Sequence, residues 1–312
     1  MSIVLLLNPR SRANRRDPHL AGRLAALLGK AGRVAAPESL EQLSTLAAEL
    51  AADPPTAFAV HGGDGTLHIT LTALLQAFGE RPLPPVAILP GGTMNVVSAS
   101  LHLQGPPEAL VAQLVAQSKT PTGPTTIARR CLRVQNRFGF VFANGFMANF
   151  LKEYYGAPHY GTRRAVWLLA RTVGSELAGG PYARRVFRPF EGRVILDGET
   201  LPWRRLLGVG AATVTEVGLG FKLNHRADDD PTRFAALAIF GPPLGLALDL
   251  LAVRRGRGIS PQRAFSALGS RLELVPDRPD EPNLYTLDGD LYASTGTLDV
   301  ELGPTLRLFK PR

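Results

Sequence analysis

Two short glycine-rich segments hold residues whose types and spacing could do chemistry. The first, 62–66, reads GGDGT and comes shortly after an apolar run. The second, 89–95, reads LPGGTMN, and its Leu89 is the last residue of another apolar run. Successive peptide N–H groups in such a loop can point into one concavity and bind a phosphate, and glycine lets the backbone approach that ligand closely. The pair of loops predicts a phosphate-binding edge, whereas an ordinary turn is the alternative for either loop alone.

Asp64 lies in the middle of the first loop, where its charge would repel a bare phosphate. A carboxylate is useful at that position if Mg²⁺ or an ordered water stands between it and the phosphate. The alternative is a turn in which the carboxylate accepts a hydrogen bond from the backbone.

A second pair of carboxylates, Asp288 and Asp290, flanks Gly289 in the segment LYTLDGDLY at 284–292. Side chains at i and i+2 of a strand lie on one face, so both carboxylates could serve one site if the backbone is extended. A hydroxyl is a weak nucleophile, and a carboxylate can accept its proton during phosphoryl transfer. An Asp-Gly hairpin turn is the alternative for this segment.

The elements that position the two glycine loops form a strand–loop–helix series over the first third of the chain. Apolar runs at 2–7, 56–60 and 86–89 are typical of parallel strands buried on both faces. A helix is predicted over 66–78, directly after the first loop. The series predicts an N-terminal, doubly wound (Rossmann-like) α/β nucleotide-binding domain over 1–120, with both loops at the edge where such sheets bind ligands.

The pattern changes after a turn-rich segment, TPTGPTT at 120–126, and predicts a second, β-rich domain over 121–302. Short alternating segments bounded by Gly, Pro and Asp favour a sandwich or barrel. The predicted strands are 130–134, 138–142, 193–196, 206–210, 271–275 and 297–302. The predicted helices are 163–178 and 244–254.

The chain is basic, with a formal charge of +9, and only five of its 35 basic residues are lysine. This balance favours anionic partners such as nucleotide phosphates and acidic lipid surfaces, although a compositional preference for arginine would give the same charge. No run of interleaved basic and aromatic residues occurs, which argues against a nucleic-acid partner.

A cytoplasmic location is expected, because Cys131 is the only cysteine and the apolar run at the N-terminus is too short for a signal peptide. The apolar segment 234–253 is interrupted by Gly241-Pro242-Pro243 and contains Asp249. It is predicted to be a strand, a turn and a helix, so any membrane contact is expected to be peripheral.

Taken together, the motifs resemble the diacylglycerol kinase catalytic family, which includes bacterial lipid kinases and the sphingosine and ceramide kinases. The segments 62–66 and 89–95 resemble its glycine motifs. LLLNPRS at 5–11 is similar to its opening Asn-Pro-x-Ser-Gly loop, and 284–292 is similar to its late Asp-Gly-Glu motif. The order and spacing of the four segments match over nearly the whole chain.

This resemblance implies an ATP-binding α/β domain, Mg²⁺, a lipid-binding β-rich domain, and a return of the last strand, about 303–312, to the first domain. It implies that Asp290 accepts the proton of the lipid hydroxyl and that Asp288 supports it or approaches the metal. Asp64 is the third expected catalytic residue. The expected ATP contacts are Asn8, Pro9, Ser11, Gly62, Gly63, Asp64, Gly65, Thr66, Leu67, His68, Gly92, Thr93 and Asn95.

The sequence departs from the family pattern at several positions. Asp290 stands where the family has glutamate, which shortens the reach of the carboxylate by about 1.5 Å. A nucleotide-contacting threonine after the second strand is missing from RVAAPE at 33–38. Asp229 and Asp230 lie where a family aspartate helps bind magnesium, and they are predicted metal ligands, with a solvated acidic turn as the alternative.

The expected activity is transfer of the γ-phosphate of ATP to the hydroxyl of a lipid such as diacylglycerol, in phospholipid metabolism. Peripheral contact with an anionic membrane surface is expected, and association as a homodimer is left open. The arginines proposed for the membrane contact are Arg163, Arg164, Arg184, Arg185, Arg254 and Arg255. Two alternatives remain: a NAD kinase-like enzyme, and a catalytically weak or inactive member that binds nucleotide or lipid.

Overall fold

The computed structural model describes residues 2–103, 105–156 and 161–311. The chain divides into two compact units. Unit 1 comprises Met1–Cys131 and Pro304–Arg312, and unit 2 comprises Leu132–Gly303. The binding role that the sequence analysis gives to each domain stays a prediction.

Unit 1 alternates strands and helices. Its strands are β1 (Ile3–Leu7), β2 (Gly32–Ala35), β3 (Ala57–Gly62) and β4 (Val86–Pro90). Its helices are α1 (Arg12–Arg16), α2 (Leu20–Leu28), α3 (Leu40–Ala52), α4 (Asp64–Phe78), α5 (Val96–Ser100) and α6 (Pro107–Ser118). Strand β5 (Thr126–Val134) follows and leads into unit 2.

The sheet of unit 1 is parallel, in the order β4-β3-β1-β2. The outer edge of β4 pairs, also in parallel, with the second half of the long last strand β17 (Leu298–Phe309), through Leu308 and Val86. The strand order runs outward from β1 in both directions, to β2 on one side and to β3 and β4 on the other. This order is typical of a doubly wound sheet, so the N-terminal fold class predicted from the sequence is confirmed.

Both faces of this sheet are covered, which is why its strands are continuous apolar runs. One face contributes Leu5 and Ala59 to a core that also takes in α2 and α6. The other face carries Phe58, whose ring meets Phe78 of α4 edge-on at 6.0 Å between centroids. Helices on both faces leave only the strand ends available for a ligand.

Unit 2 is built mainly from strands. They are β6 (Arg137–Gly139), β7 (Val141–Gly145), β8 (Phe190–Leu196), β9 (Glu199–Thr200), β10 (Arg205–Leu206), β11 (Gly208–Ala212), β12 (Phe234–Ile239), β13 (Ala264–Gly269), β14 (Arg271–Pro276), β15 (Asn283–Leu287), β16 (Asp290–Ser294) and the first half of β17. Its helices are α7 (Phe146–Tyr155), α8 (Thr162–Leu177), α9 (Pro181–Val186) and α10 (Pro243–Arg254).

These strands form two layers with one core between them. One layer has the order β10-β8-β14-β17, and the other is an antiparallel sheet in the order β13-β12-β11-β7-β15-β16. Val194 and Leu272 of the first layer share a buried cluster with Phe142, Val209 and Tyr285 of the second. Two sheets that bury facing side chains make a sandwich, as predicted.

Two details of unit 2 differ from the sequence prediction, and a third agrees with it. The predicted strand 138–142 is two strands, β6 and β7, which are separated at Phe140. Helices α7 and α9 were not predicted, since their short amphipathic patterns lie among strand-like segments. The prediction for 234–253 is confirmed, because β12 and α10 are joined by a turn at Gly241 and Pro242. Among the described residues, no helix is both long and apolar enough to cross a bilayer.

Candidate active site

Three loops of unit 1 begin side by side at the carboxyl ends of parallel strands. Leu7 is paired with His61, and His61 is paired with Leu89 on the other side. The loops that start at Asn8, Gly63 and Gly91 therefore leave the same edge of the sheet. This is the edge at which open α/β sheets bind their ligands, and the two glycine segments meet there as the sequence predicted.

The two glycine loops are in direct backbone contact. The N–H of Gly91 donates to the carbonyl oxygen of Gly62 at 2.8 Å. A Cβ on Gly92 would lie 2.4 Å from the Cα of Gly63, a separation that no side chain can tolerate. Glycine is required here because two backbones touch. The loops form one surface.

Asp64 joins the first loop to the helix that follows the second. Its Oδ1 accepts the backbone N–H of Val97 at 3.3 Å, in the first turn of α5. Burial raises the pKa of Asp64, and hydrogen bonds from the backbone N–H groups of Val96 and Val97 oppose that rise. The carboxylate of Asp64 therefore accepts a backbone hydrogen bond, as the turn alternative proposed. The donor, however, lies in α5 after the second glycine loop and not in a local turn.

The loop after β1 is fixed to the first glycine loop by Asn8. Its Nδ2 donates to Oγ1 of Thr66 at 3.0 Å, and its N–H donates to the carbonyl of His61 at 3.3 Å. Ser11 is buried, and its Oγ accepts the N–H of Asn14 as the N-cap of α1. Asn8, Thr66 and the half-buried Pro9 thus border the same edge.

Within the second loop, Asn95 has a structural task. It adopts a left-handed conformation with φ of 50°, and its Oδ1 accepts the N–H of Gly92 at 2.9 Å. Its amide Nδ2 also bonds the carbonyl of Gly92, at 3.3 Å. Asn95 therefore holds the loop shape, whereas the neighbouring Thr93 side chain is exposed at the tip of the loop.

Four of the expected nucleotide contacts are buried, namely Ser11, Gly62, Leu67 and His68. Leu67 and His68 are among the buried residues of α4, with His68 only 1% exposed. Gly63, Asp64, Gly65 and Thr66, in contrast, are partly exposed.

The sequence analysis missed His61, whose side chain lies below the second loop. It is fully buried, and a Cβ on Gly91 would be 2.9 Å from its Nε2. Neither ring nitrogen has a hydrogen-bond partner among the described residues. Its position directly before the glycine loop was the only available signal.

This edge has the donors that a polyphosphate needs. The first turn of α4 leaves N–H groups without helical partners, and the dipole of this 15-residue helix adds partial positive charge. Gly63 and Gly92 are in backbone contact and have no side chain that would cover this edge. Asp64 is the carboxylate at this edge, and Mg²⁺ commonly takes one or two carboxylates with phosphate and water oxygens. The residues therefore fit a nucleotide phosphate with its metal.

In unit 2, the expectation of an extended backbone at the late motif is wrong. Asp288 and Gly289 have φ of 49° and 87° and form the two-residue turn between β15 and β16, where Leu287 pairs with Asp290. Two successive positive φ values are the mark of the hairpin turn that Asp-Gly favours. The hairpin alternative is the correct one, so the common face proposed for Asp288 and Asp290 is lost.

The carboxylate of Asp288 is buried and bonded to backbone within unit 2. Its Oδ1 accepts the N–H of Phe140 at 2.9 Å and that of Val141 at 2.8 Å. A Cβ on Gly139 would lie 2.7 Å from its Oδ2, so glycine makes room for it. These contacts pin the hairpin to the start of β7 and account for the break between β6 and β7.

Asp290 begins β16, and its surroundings in unit 2 are aromatic and basic. Burial raises the pKa of Tyr292 to about 12, with a further contribution from the negative charge of Asp290. The guanidinium of Arg137 lies 4.2 Å from the Tyr292 ring centroid. On the other side of the turn, the hydroxyl of Tyr155 donates to the carbonyl of Gly289 at 2.8 Å. The hairpin that carries Asp290 is thus held from two sides.

The predicted metal ligands Asp229 and Asp230 lie in a turn-rich segment of unit 2. Asp229 pairs with Arg226 at 3.1 Å, and Oδ1 of Asp230 accepts the N–H of Thr232 at 2.8 Å. No group of three or more His, Cys, Asp or Glu side chains in the described part of the chain is arranged to hold a metal ion. Their role in metal binding stays a prediction.

The N-terminal part of the chain is similar to a known family. Residues 2–126 match the family model described as the diacylglycerol kinase catalytic domain, which confirms the resemblance seen in the motifs. This match supports a kinase of the lipid-kinase kind. No curated protein sequence matches the chain.

Solved structures with little sequence identity share the fold over the whole chain. A diacylglycerol kinase from Bacillus anthracis strain Sterne is 13% identical, with a TM-score of 0.66 over 99% of this chain and 96% of its own. Two further proteins of that strain, provisionally assigned as diacylglycerol kinases, cover 99% of this chain as well. One is 14% identical with a TM-score of 0.70 over 95% of its length. The other is 16% identical with a TM-score of 0.66 over 97% of its length.

Proposed function

We propose, from the diacylglycerol kinase catalytic domain matched at residues 2–126, that this protein transfers the γ-phosphate of ATP to a lipid hydroxyl. Diacylglycerol is the proposed acceptor, as the name of the matched family suggests. The single observation that carries the proposal is the contact between the two glycine loops, where Gly91 bonds Gly62 at one edge of the unit 1 sheet.

The loops would act on the nucleotide by binding and orienting its phosphates. The N–H groups in the first turn of α4 would donate to phosphate oxygens, and the exposed hydroxyl of Thr93 could donate to another. Asn8 and Asn95 would not need to touch ATP, since their side chains hold the loops in shape. Pre-organised donors of this kind stabilise the charge that develops on a transferring phosphoryl group.

Asp64 is the proposed magnesium ligand of unit 1. The cation would neutralise phosphate charge and keep Asp64 ionised despite the burial that raises the pKa of its carboxyl. The carboxylate of Asp64 would hold the cation, in addition to the hydrogen bond that its Oδ1 accepts from the N–H of Val97.

Asp290 is the proposed acceptor of the lipid hydroxyl proton. A carboxylate in this role typically accelerates transfer by a factor of about 10² to 10⁴. Asp288, in contrast, is proposed to position the hairpin through its bonds to the N–H groups of Phe140 and Val141.

The test is transfer of label from [γ-³²P]ATP to diacylglycerol in detergent micelles, followed in the organic phase. Wild-type protein should label the lipid, and Asp64→Ala should abolish the labelling. Asp290→Asn should lower the rate by a factor of about 10² or more while ATP affinity is kept. Asp53→Ala is the matched control, because Asp53 is an exposed C-cap of α3.

The non-catalytic alternative makes a different prediction in the same assay. A binding-only protein would bind ATP, and Asp64→Ala would weaken that binding, but no lipid in a broad panel would be labelled. This alternative rests on the aspartate at 290 in place of glutamate and on the missing threonine after the second strand. Labelling of a lipid other than diacylglycerol would keep the kinase and replace the proposed acceptor.

A further inference from the structure

Most of the exposed large apolar side chains among the described residues lie on two helices of unit 2. Leu248 is 79% exposed and Leu177 is 70% exposed, and exposed apolar residues that lie together mark interaction sites. The exposed set on these helices is Val166, Trp167 and Leu177 of α8 with Leu244, Leu248 and Leu251 of α10. Helices α8 and α10 pack against each other, so the two sets are neighbours.

On α8 the apolar residues form one stripe. Val166, Val173 and Leu177 are spaced at i, i+7 and i+11, which puts them on one side of a helix. The side packed into unit 2 is a different one, since Ala165 and Leu168 are buried. The stripe is therefore additional to the face that holds the helix in place.

Helix α10 repeats the arrangement with leucine. Leu244, Leu248 and Leu251 are spaced at i, i+4 and i+7 and all are exposed, while Asp249 and Val253 on another side are buried. The carboxylate of Asp249 is paired with the guanidinium of Arg263 through two bonds of 2.7 Å. The only acidic group of α10 is thus neutralised and faces away from the leucines.

Exposed arginines lie on the same two helices and directly after α10. Arg163 and Arg171 of α8 are exposed, and Arg171 lies 5.3 Å from the ring centroid of Trp167. The segment RRGR at 254–257, which begins with the last residue of α10, carries three more exposed arginines. None of these three takes part in an ion pair within the described part of the chain. Their charge is available to an anionic partner.

We propose that this surface, called the α8–α10 surface and made of the six exposed apolar residues and the flanking arginines, docks onto an anionic phospholipid bilayer. Helices that combine leucine, valine and tryptophan with arginine lie in the bilayer interface, with apolar residues inserted and arginines at the headgroups. The inference deepens the proposed function and rests on it, because a kinase of a bilayer lipid has to reach the membrane.

A second copy of this chain fits the surface less well. Each copy carries a formal charge of +9, and the rims of two such surfaces would bring arginines against arginines. An anionic bilayer instead complements the rim and receives the leucines in its apolar layer. Charge complementarity therefore selects the membrane as the occupant.

The docking test uses the full chain without ATP. Sedimentation with vesicles of phosphatidylcholine containing about 30 mol% phosphatidylglycerol should capture wild-type protein at least about ten times better than vesicles of phosphatidylcholine alone. The double variant Leu248→Glu, Leu251→Glu should lose at least about tenfold in capture by the anionic vesicles, since both side chains are exposed and their replacement leaves the core intact. Leu40→Glu is the control, because Leu40 on α3 of unit 1 is 63% exposed, a value between those of Leu248 and Leu251.

A second measurement reports insertion itself. The chain has two tryptophans, and Trp203 is stacked on Phe240 with ring centroids 4.2 Å apart. In a Trp203→Phe background the emission of Trp167 should shift to shorter wavelength when anionic vesicles are added. No shift, or equal capture of wild type and the leucine variant, would overturn the docking surface.

The outcomes separate this proposal from the proposed function. Transfer to diacylglycerol in micelles without vesicle capture would leave the kinase standing and end the docking proposal. Vesicle capture that depends on Leu248 and Leu251, without transfer to any lipid, would do the reverse. A wild-type dimer that the leucine variant converts to monomer, with no vesicle capture, would assign the surface to self-association and overturn the membrane proposal.

Discussion

At the scale of single residues, His61 places a titratable ring at full burial directly before the first glycine loop. Its two nitrogens have no hydrogen-bond partner among the described residues. Burial lowers the pKa of His61, and the negative charge of Glu108 only partly opposes this. The ring is therefore neutral in the folded protein under conditions where an exposed histidine would begin to take up a proton.

This lowered pKa predicts a loss of stability in acid. In the unfolded chain His61 binds a proton below its ordinary pKa of about 6.5, while the folded form does not. The free energy of unfolding should be highest above that pH and should fall as the pH drops below it. His61→Leu removes this part of the acid sensitivity, and urea unfolding at a series of pH values measures it. His19→Gln, at an exposed position before α2, is the control, and an unchanged pH slope for His61→Leu would contradict the prediction.

The sequence alone was enough to predict some residues of the candidate site but not others. The glycine loops could be predicted because each one carries its own local signal. Asp288 could not be placed from such signals, because its acceptor role depends on the N–H groups of Phe140 and Val141, which are distant in the chain. The preference of Asp-Gly for a hairpin turn predicted the backbone here correctly, whereas the expectation of an extended strand did not.

At the scale of elements, the contact between the first and second glycine loops sets the geometry of the candidate site. Buried strands in the first third were predictable, because a parallel sheet covered on both faces needs continuous apolar runs. The break at Phe140 and the helices α7 and α9 were not, since these depend on tertiary contacts rather than on local periodicity.

A methyl group in this contact should separate the loops. In Gly92→Ala the new Cβ would lie 2.4 Å from the backbone of Gly63, and a backbone atom cannot rotate away. ATP affinity should fall at least about tenfold, which corresponds to about 1.4 kcal/mol. Isothermal titration with ATP measures the loss.

Gly22→Ala is the matched control for that substitution. Gly22 lies inside α2, and a Cβ there would meet nothing within 4 Å. Alanine should stabilise the helix by roughly 0.5–1 kcal/mol and leave ATP affinity unchanged. Equal ATP binding by Gly92→Ala and wild type would show that the loop contact does not shape the site.

At the scale of the whole molecule, β17 is one strand of 12 residues whose two halves serve different units. Its first half pairs with β14 in unit 2, and Leu308 in its second half pairs with Val86 of β4 in unit 1. The apolar pattern at 297–302 predicted a strand, but only the family resemblance suggested that the chain returns to the first domain. Strand partners are non-local, and composition does not reveal them.

Leu308 tests how far unit 1 depends on this strand. The side chain is fully buried, so Leu308→Ala should cost about 2–5 kcal/mol through lost contacts and a cavity. Hydrogen exchange of the amides in β3 and β4 should become faster. Arg307→Ala, at an exposed position one residue earlier, should change stability by no more than about 0.5 kcal/mol. Unchanged exchange in Leu308→Ala would mean that β4 is a stable sheet edge without its partner.

The divided strand also has a consequence for biosynthesis. A ribosome releases all of β1 to β4 early, but the residues that cover the edge of β4 emerge only after the whole of Leu132–Gly303 has been made. During that interval β4 offers an open, apolar border of the kind that chaperones protect and that nascent chains use to aggregate. Slow closure is expected from pairing across so long a sequence separation, and the edge of the sheet that carries the glycine loops would become fully rigid only after unit 2 has been made.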